Sequence, residues 1–203
     1  MFHANGWTFV WTITAVGGRH VCLPKADPRL IFEAITREGV TLLCAAPTVL
    51  IGMANAPEDL RRNVPGGVRV LTAGAPPAAA TIERMEGELG WDITHVYGLT
   101  EVSPIVTIAE SRPEHAGLDP AARAVIKARQ GVEYLANAEV RVVDDEGKEV
   151  APDGASMGEI IIRGNAVMKG YYNDPEATAK AIRNGWFYSG DAAVVHPDGY
   201  IEI

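Results

Sequence analysis

The sequence predicts an α/β fold: a mostly parallel, covered sheet with helices, followed by a small antiparallel β-barrel-like part. Up to about residue 130, short apolar runs alternate with amphipathic helical stretches, the pattern of a parallel sheet covered by helices. Beyond Gly131 the period shortens to two, and strand-like segments meet at Asp- and Gly-rich turns, as in small antiparallel barrels and sandwiches. A chain of 203 residues that is 47% apolar also carries enough material for a substantial core.

Each element has its own signal. Asp27 caps a helix with Pro28 in its first turn; Leu30, Ile31, Ala34 and Ile35 form its apolar stripe, and Gly39 stops it. Val40–Cys44 reads as a buried strand, and Pro47 opens a second helix to about Ala54. Val68–Thr72 is the next buried strand, ending in the turn Ala73-Gly74-Ala75-Pro76-Pro77. A helix from about Ala78 to Leu89 follows, closed by Gly90, and Trp91–Val96 is a further strand. Glu110–Gln130 is polar and in part helical. Later strands are expected at Glu139–Val143, Gly158–Arg163, Trp186–Tyr188, Ala192–Val195 and Tyr200–Ile203. Among them lies one helix, about Pro175 to Ile182, capped by Asp174. Two domains are therefore expected, 1–130 and 131–203.

Composition excludes several classes. The net charge of −8 argues against a sequence-independent grip on nucleic-acid phosphates, which needs a basic surface. No uninterrupted apolar stretch is long enough to span a bilayer. Met1 is followed by His3 and Asn5 with no basic segment or apolar core, so no secretory leader is expected. Cys22 and Cys44 lack C-x-x-C spacing and read as reduced core residues of a cytoplasmic protein. Trp11 and Trp91 are expected in the core. His20, His115 and His196 are expected at the surface, and Glu83, Arg84, Glu86 and Glu88 on a solvated helix face. Asp144, Asp145, Glu146 and Glu149 lack calcium-loop spacing and read as a hairpin turn.

Chemistry concentrates in three segments. Tyr97-Gly98-Leu99-Thr100-Glu101 directly follows a predicted strand. The aromatic offers a flat face for a base, glycine permits close backbone approach, threonine can bond a phosphate oxygen, and glutamate can hold a hard cation. Thr72–Pro77 is a second strand-ending turn of small residues, and strand C-terminal ends are where ligands bind in open α/β sheets. In Gly185-Trp186-Phe187-Tyr188-Ser189-Gly190-Asp191 an acidic residue in a Ser-Gly turn can accept hydrogen bonds from a ribose diol.

In this order and at these separations, the segments resemble the adenylate-forming (AMP-binding) superfamily. Gly158–Gly164 (G-E-I-x-x-R-G) and Gly170–Thr178 (G-Y-Y-x-x-P-E-A-T) extend the match over nearly the whole chain. Met1-Phe2-His3-Ala4-Asn5-Gly6-Trp7 is most similar to fatty acyl-CoA synthetases within it. The resemblance implies a ligase that joins a carboxylic acid, expected to be a fatty acid, to coenzyme A through an acyl adenylate, with ATP and Mg²⁺. By position it implies that Gly74, Ala75, Pro76, His95, Tyr97 and Gly98 bind the adenylate, with Tyr97 stacked on adenine. Asp191 would hold the ribose hydroxyls, Thr100 would touch the α-phosphate, and Glu101 would ligate Mg²⁺. His3 and Trp7 would line the acyl entry.

The phosphate loop and the C-terminal lid with its lysine have no counterpart in this sequence. The chain is therefore expected to be part of the large N-terminal domain, inactive alone and prone to dimerise. The competing readings are a non-catalytic nucleotide-binding or assembly module, and a ligase for another acid. Amino-acid activation is disfavoured, because residues 4–8 carry no acidic side chain to meet an amine.

Overall fold

The computed structural model describes residues 8–134 and 138–203. Two compact units share the chain, the first from Met1–His95 and Ser111–Ala128, the second from Val96–Glu110 and Arg129–Ile203. In place of one boundary near Gly131, the chain therefore crosses at 95/96, 110/111 and 128/129. The cause is a strand that runs past His95 and takes a new partner with its last two residues.

The first unit contains α1 (Phe9–Ala15), α2 (Pro28–Glu38), β1 (Leu42–Ala45), α3 (Pro47–Ala54), α4 (Glu58–Arg61), β2 (Arg69–Thr72), α5 (Ala79–Leu89), most of β3 (Asp92–Tyr97) and α6 (Pro120–Ala128). The Asp27 side chain accepts from the Arg29 amide at 2.9 Å, and Gly39, at φ 65°, closes α2, as its Asp-Pro start and glycine stop predict. Strands β1, β2 and β3 are parallel, with Leu43 beside Val70 and Val70 beside Ile93. Ile31, Phe32, Ile35, Leu50, Met53, Ile82, Met85 and Ala124 pack with these strands into one core. Phe32 and Trp91 meet edge to face at 6.1 Å.

Several side chains depart from the sequence-based expectation. Trp11 is 73% exposed on α1, a helix that buries none of its residues. Cys22 is exposed as well. His115 is buried because its Nδ1 accepts the Arg112 amide at 3.1 Å, which folds the ring back over its own 3₁₀ turn. Glu86 leaves the solvated face: Lys127 of α6, 9% exposed, lies 2.5 Å from Glu86 and 2.8 Å from Asp92. Glu86 also accepts the Ile93 amide at 3.1 Å, so one ammonium ties α5, α6 and β3 together.

In the second unit, Val96 and Tyr97 at the end of β3 pair antiparallel with β4 (Thr107–Ile108), and β4 with β5 (Val132–Glu133). An antiparallel sheet then runs β10–β9–β7–β6, from β6 (Glu139–Val143), β7 (Met157–Arg163), β9 (Trp186–Val195) and β10 (Ile201–Glu202). Helix α7 (Pro175–Ala181) leads into the short β8 (Ile182–Arg183), which pairs with β9. Val102, Val106, Val142, Ile160, Ile162, Phe187 and Ile201 form the core of this unit. In this order β6 and β10 are the outermost strands, and Ile201 of β10 also bridges antiparallel to Gly131, just before β5.

The Ser189-Gly190-Asp191 segment, expected as a turn between two strands, lies inside the single strand β9. Glu159 pairs with Ala192 and Ile161 with Tyr188, so residues 189–191 stand opposite Ile160 alone. This is a β-bulge, with Gly190 at φ 80°. The Ser189 hydroxyl donates to the Ile160 carbonyl at 2.8 Å, and Glu159 accepts the Gly190 amide at 2.9 Å.

The Lys127 cluster yields a stability prediction. Lys127→Met leaves two carboxylates without their shared cation and is expected to cost about 1–3 kcal/mol in denaturant unfolding. Adding Glu86→Gln to that variant should cost less than in the parent, because the charge it removes is already unpaired. Strictly additive costs would contradict the linkage.

Candidate functional site

The polar segment after β3 is shaped by one close backbone contact. A Cβ on Gly98 would lie 1.8 Å from the Pro104 carbonyl oxygen, so only glycine lets residues 98–105 fold against themselves. The Val106 amide donates to the Tyr97 carbonyl at 2.9 Å and the Val102 amide to the Leu99 carbonyl at 3.1 Å. Val102 and Val106, both fully buried, anchor this loop in the core. The intervening 3₁₀ turn, Thr100–Val102, leaves Thr100 exposed and Glu101 half-buried.

Two phenol–carboxylate pairs flank the turn. The Tyr97 hydroxyl donates to Asp191 Oδ2 at 2.6 Å, joining the end of β3 to the bulge of β9. Burial, followed by the hydrogen bond and charge of Asp191, pushes the Tyr97 phenol above its ordinary value. The second pair is the Tyr171 hydroxyl donating to Glu101 Oε1 at 3.0 Å. The Glu101 backbone carbonyl also accepts the Met168 amide at 2.7 Å. Among the described residues no lysine, arginine or histidine lies within ion-pair distance of Glu101, and no group of three or more histidine, cysteine, aspartate or glutamate side chains is disposed to hold a metal.

Within the second unit, therefore, Tyr97, Gly98, Thr100, Glu101 and Asp191 come together. Gly74, Ala75, Pro76 and His95 belong to the first unit. There the exposed turn Gly74-Ala75-Pro76 continues from the C-terminal end of β2, with Gly74 at φ 93°. Thr72, the last residue of β2, and His95 of β3 are register partners, both buried. His95 Nδ1 lies 3.0 Å from the Ala128 carbonyl, so in the neutral ring that nitrogen carries the proton. The Thr72 hydroxyl is buried with no hydrogen-bond partner among the described residues. His3 and Trp7 lie outside the described residues. Burial pushes the Cys44 thiol up to about 11, which keeps it protonated at neutral pH.

Sequence reasoning missed Tyr171, Ser189 and Glu159. All three lie in segments that carried the resemblance.

Comparison with known proteins identifies the family. The AMP-binding enzyme family matches residues 1–172, and the chain belongs to that family. A 4-hydroxybutyrate–CoA ligase of Metallosphaera sedula is 48% identical over 203 residues, covering all of this chain and 37% of the relative. A 2-methylpropanoate–CoA ligase of Humulus lupulus is 46% identical over 207 residues, covering all of this chain and 36% of the relative. This chain thus spans little more than a third of the length of those relatives. The crystal structure of the N-terminal domain of FACL13 from Mycobacterium tuberculosis superposes with a TM-score of 0.83 at 28% identity, covering all of this chain and 48% of that one.

The Tyr97–Asp191 bond has a pH signature. A phenol whose folded pKa is raised contributes stability that is complete below its unfolded value, near 10, and is lost as pH rises through the folded one. The unfolding free energy of the parent should therefore fall more steeply above pH 10 than that of Tyr97→Phe. Equal slopes would contradict the pairing.

Proposed function

We propose that this chain forms the adenosine- and acyl-binding part of an ATP-dependent acyl-CoA ligase. The observation that carries the reading is the Tyr97–Asp191 hydrogen bond, which holds a flat aromatic and a carboxylate side by side at a glycine-shaped turn. Tyr97 stacks on adenine, and Asp191, with one oxygen engaged by the phenol, offers the other to the ribose hydroxyls. Gly98 bounds the adenylate, and Thr100 donates to an oxygen of the α-phosphate.

Mg²⁺ fits this donor set as a guest of the nucleotide. It keeps several waters and binds through one or two carboxylates plus substrate phosphates, and Glu101 is a single, half-buried carboxylate without a cationic partner among the described residues. Held there by Glu101, the cation would supply charge neutralisation for the phosphates. In the reaction proposed, a carboxylate oxygen attacks the α-phosphorus and pyrophosphate leaves. The thiol of coenzyme A then attacks the acyl carbon and AMP leaves. The residues of this chain orient the adenylate through both steps.

The acid is proposed to be aliphatic, from a short acid to a fatty acid. The names of the two ligases above, for 4-hydroxybutyrate and 2-methylpropanoate, support the short end. His3 and Trp7 are proposed at the acyl entry. An apolar wall discriminates chain lengths by only about 0.8 kcal/mol per methylene, so Trp7→Ala should shift chain preference without abolishing adenylation.

Titration calorimetry of the purified chain with AMP tests the reading. Tyr97→Ala should lose about 1–3 kcal/mol of affinity, the range for base–aromatic stacking, and Asp191→Ala should weaken AMP and adenosine alike. Variants that bind AMP like the parent would contradict both assignments.

A further inference from the structure

Tyr171 is held in place by a chain of contacts that the proposed reaction does not by itself require. Its hydroxyl donates to Glu101 Oε1 at 3.0 Å, across 70 residues of sequence. Its backbone amide donates to Thr178 Oγ1 at 2.9 Å, and that hydroxyl donates onward to the Asp174 carbonyl at 2.8 Å. Asp174 is the N-cap of α7, its side chain accepting the Ala177 amide at 2.9 Å. From the other side, the Met168 amide grips the Glu101 carbonyl at 2.7 Å. The strap from Met168 to Tyr171 thus fixes both the backbone and the side chain of Glu101 and is itself moored to a capped helix. The neighbouring Tyr172 is 94% exposed.

This arrangement has a chemical consequence. A carboxylate with one oxygen bonded by a phenol keeps the lone pairs of its other oxygen for a cation, and its rotamer is chosen in advance. Partners of this kind typically change metal affinity by 10–100-fold when removed, because they orient a ligand that would otherwise be mobile.

We propose that Tyr171 is a positioning residue for the metal carboxylate: it locks Glu101 in the orientation that receives the nucleotide-borne divalent cation. This rests on the reading of Glu101 as the Mg²⁺ ligand. In this role Tyr171 acts through Glu101, and its effect is confined to the dependence of ATP binding on the metal.

The test compares the affinity of the purified chain for ATP in EDTA and in excess Mg²⁺ by calorimetry; the ratio of the two is the metal gain. Tyr171→Phe keeps the ring and removes only the hydroxyl. It should leave binding in EDTA unchanged and reduce the metal gain about tenfold, to the limit of the parent's gain. Thr178→Val, which frees the strap at its mooring, should reduce the gain to a smaller extent. Tyr172→Phe should have no effect, and Glu101→Gln should abolish the gain. If Glu101→Gln abolishes it while Tyr171→Phe retains it in full, the positioning role is overturned and the reading of Glu101 stands. If Glu101→Gln retains the gain, or the unsubstituted chain shows none, the reading of Glu101 falls and the proposal with it. Equal losses in EDTA and in Mg²⁺ for Tyr171→Phe would mark a merely structural role and also overturn the proposal.

Discussion

The contact between the Gly98 backbone and the Pro104 carbonyl governs the geometry of the site, because the carbonyl occupies the space that any side chain at residue 98 would need. With that contact made, residues 98–105 double back, Val102 and Val106 drop into the core, and the polar residues between them are carried outward on a 3₁₀ turn. Close backbone packing is insensitive to rotamer exchange, so the main-chain positions of Tyr97, Thr100 and Glu101 are set by the loop itself, while the Glu101 side chain is bonded by Tyr171. Such preorganisation is what sites that handle phosphate charge require, since donors already in place need no rearrangement when charge develops.

The bulge in β9 meets the same need from the other side. A regular strand would have set Ser189 and Asp191 on one face of the sheet with no freedom to aim either one. Placing residues 189–191 opposite Ile160 alone turns Asp191 toward the Tyr97 phenol, and the Ser189 and Glu159 bonds keep the extra backbone satisfied. The unit pays for irregularity at one place and keeps an intact ladder on both sides. The first unit follows a different logic: parallel strands buried between helices, with Lys127 meeting the charges of Glu86 and Asp92.

Much of this was legible in the sequence, because the signals were local. The cap and stop of α2, the proline that opens α3, the glycine that ends α5, and the strand at Glu139–Val143 all rest on residues adjacent in the chain. The Tyr97–Glu101 motif was legible for the same reason, since each residue type there has a distinct chemical use. What escaped depended on distant partners. A Ser-Gly-Asp run reads as a turn until β7 is seen alongside it. Glu86 reads as solvated until Lys127 arrives from a helix more than thirty residues later. Trp11 reads as core until α1 proves to bury nothing. Tyr171 had no local signal that it bonds Glu101, because that bond spans 70 positions.

The central claim is that the Tyr97–Glu101 loop and the β9 bulge together receive the adenosine of a nucleotide. Hydrogen–deuterium exchange of the purified chain with and without AMP tests it most directly, since exchange reports local opening residue by residue. The account predicts that AMP slows exchange at residues 97–102 and 189–191 together, with the edge strand β6 unaffected. Protection confined elsewhere, or present at one of the two segments and absent at the other, would contradict it.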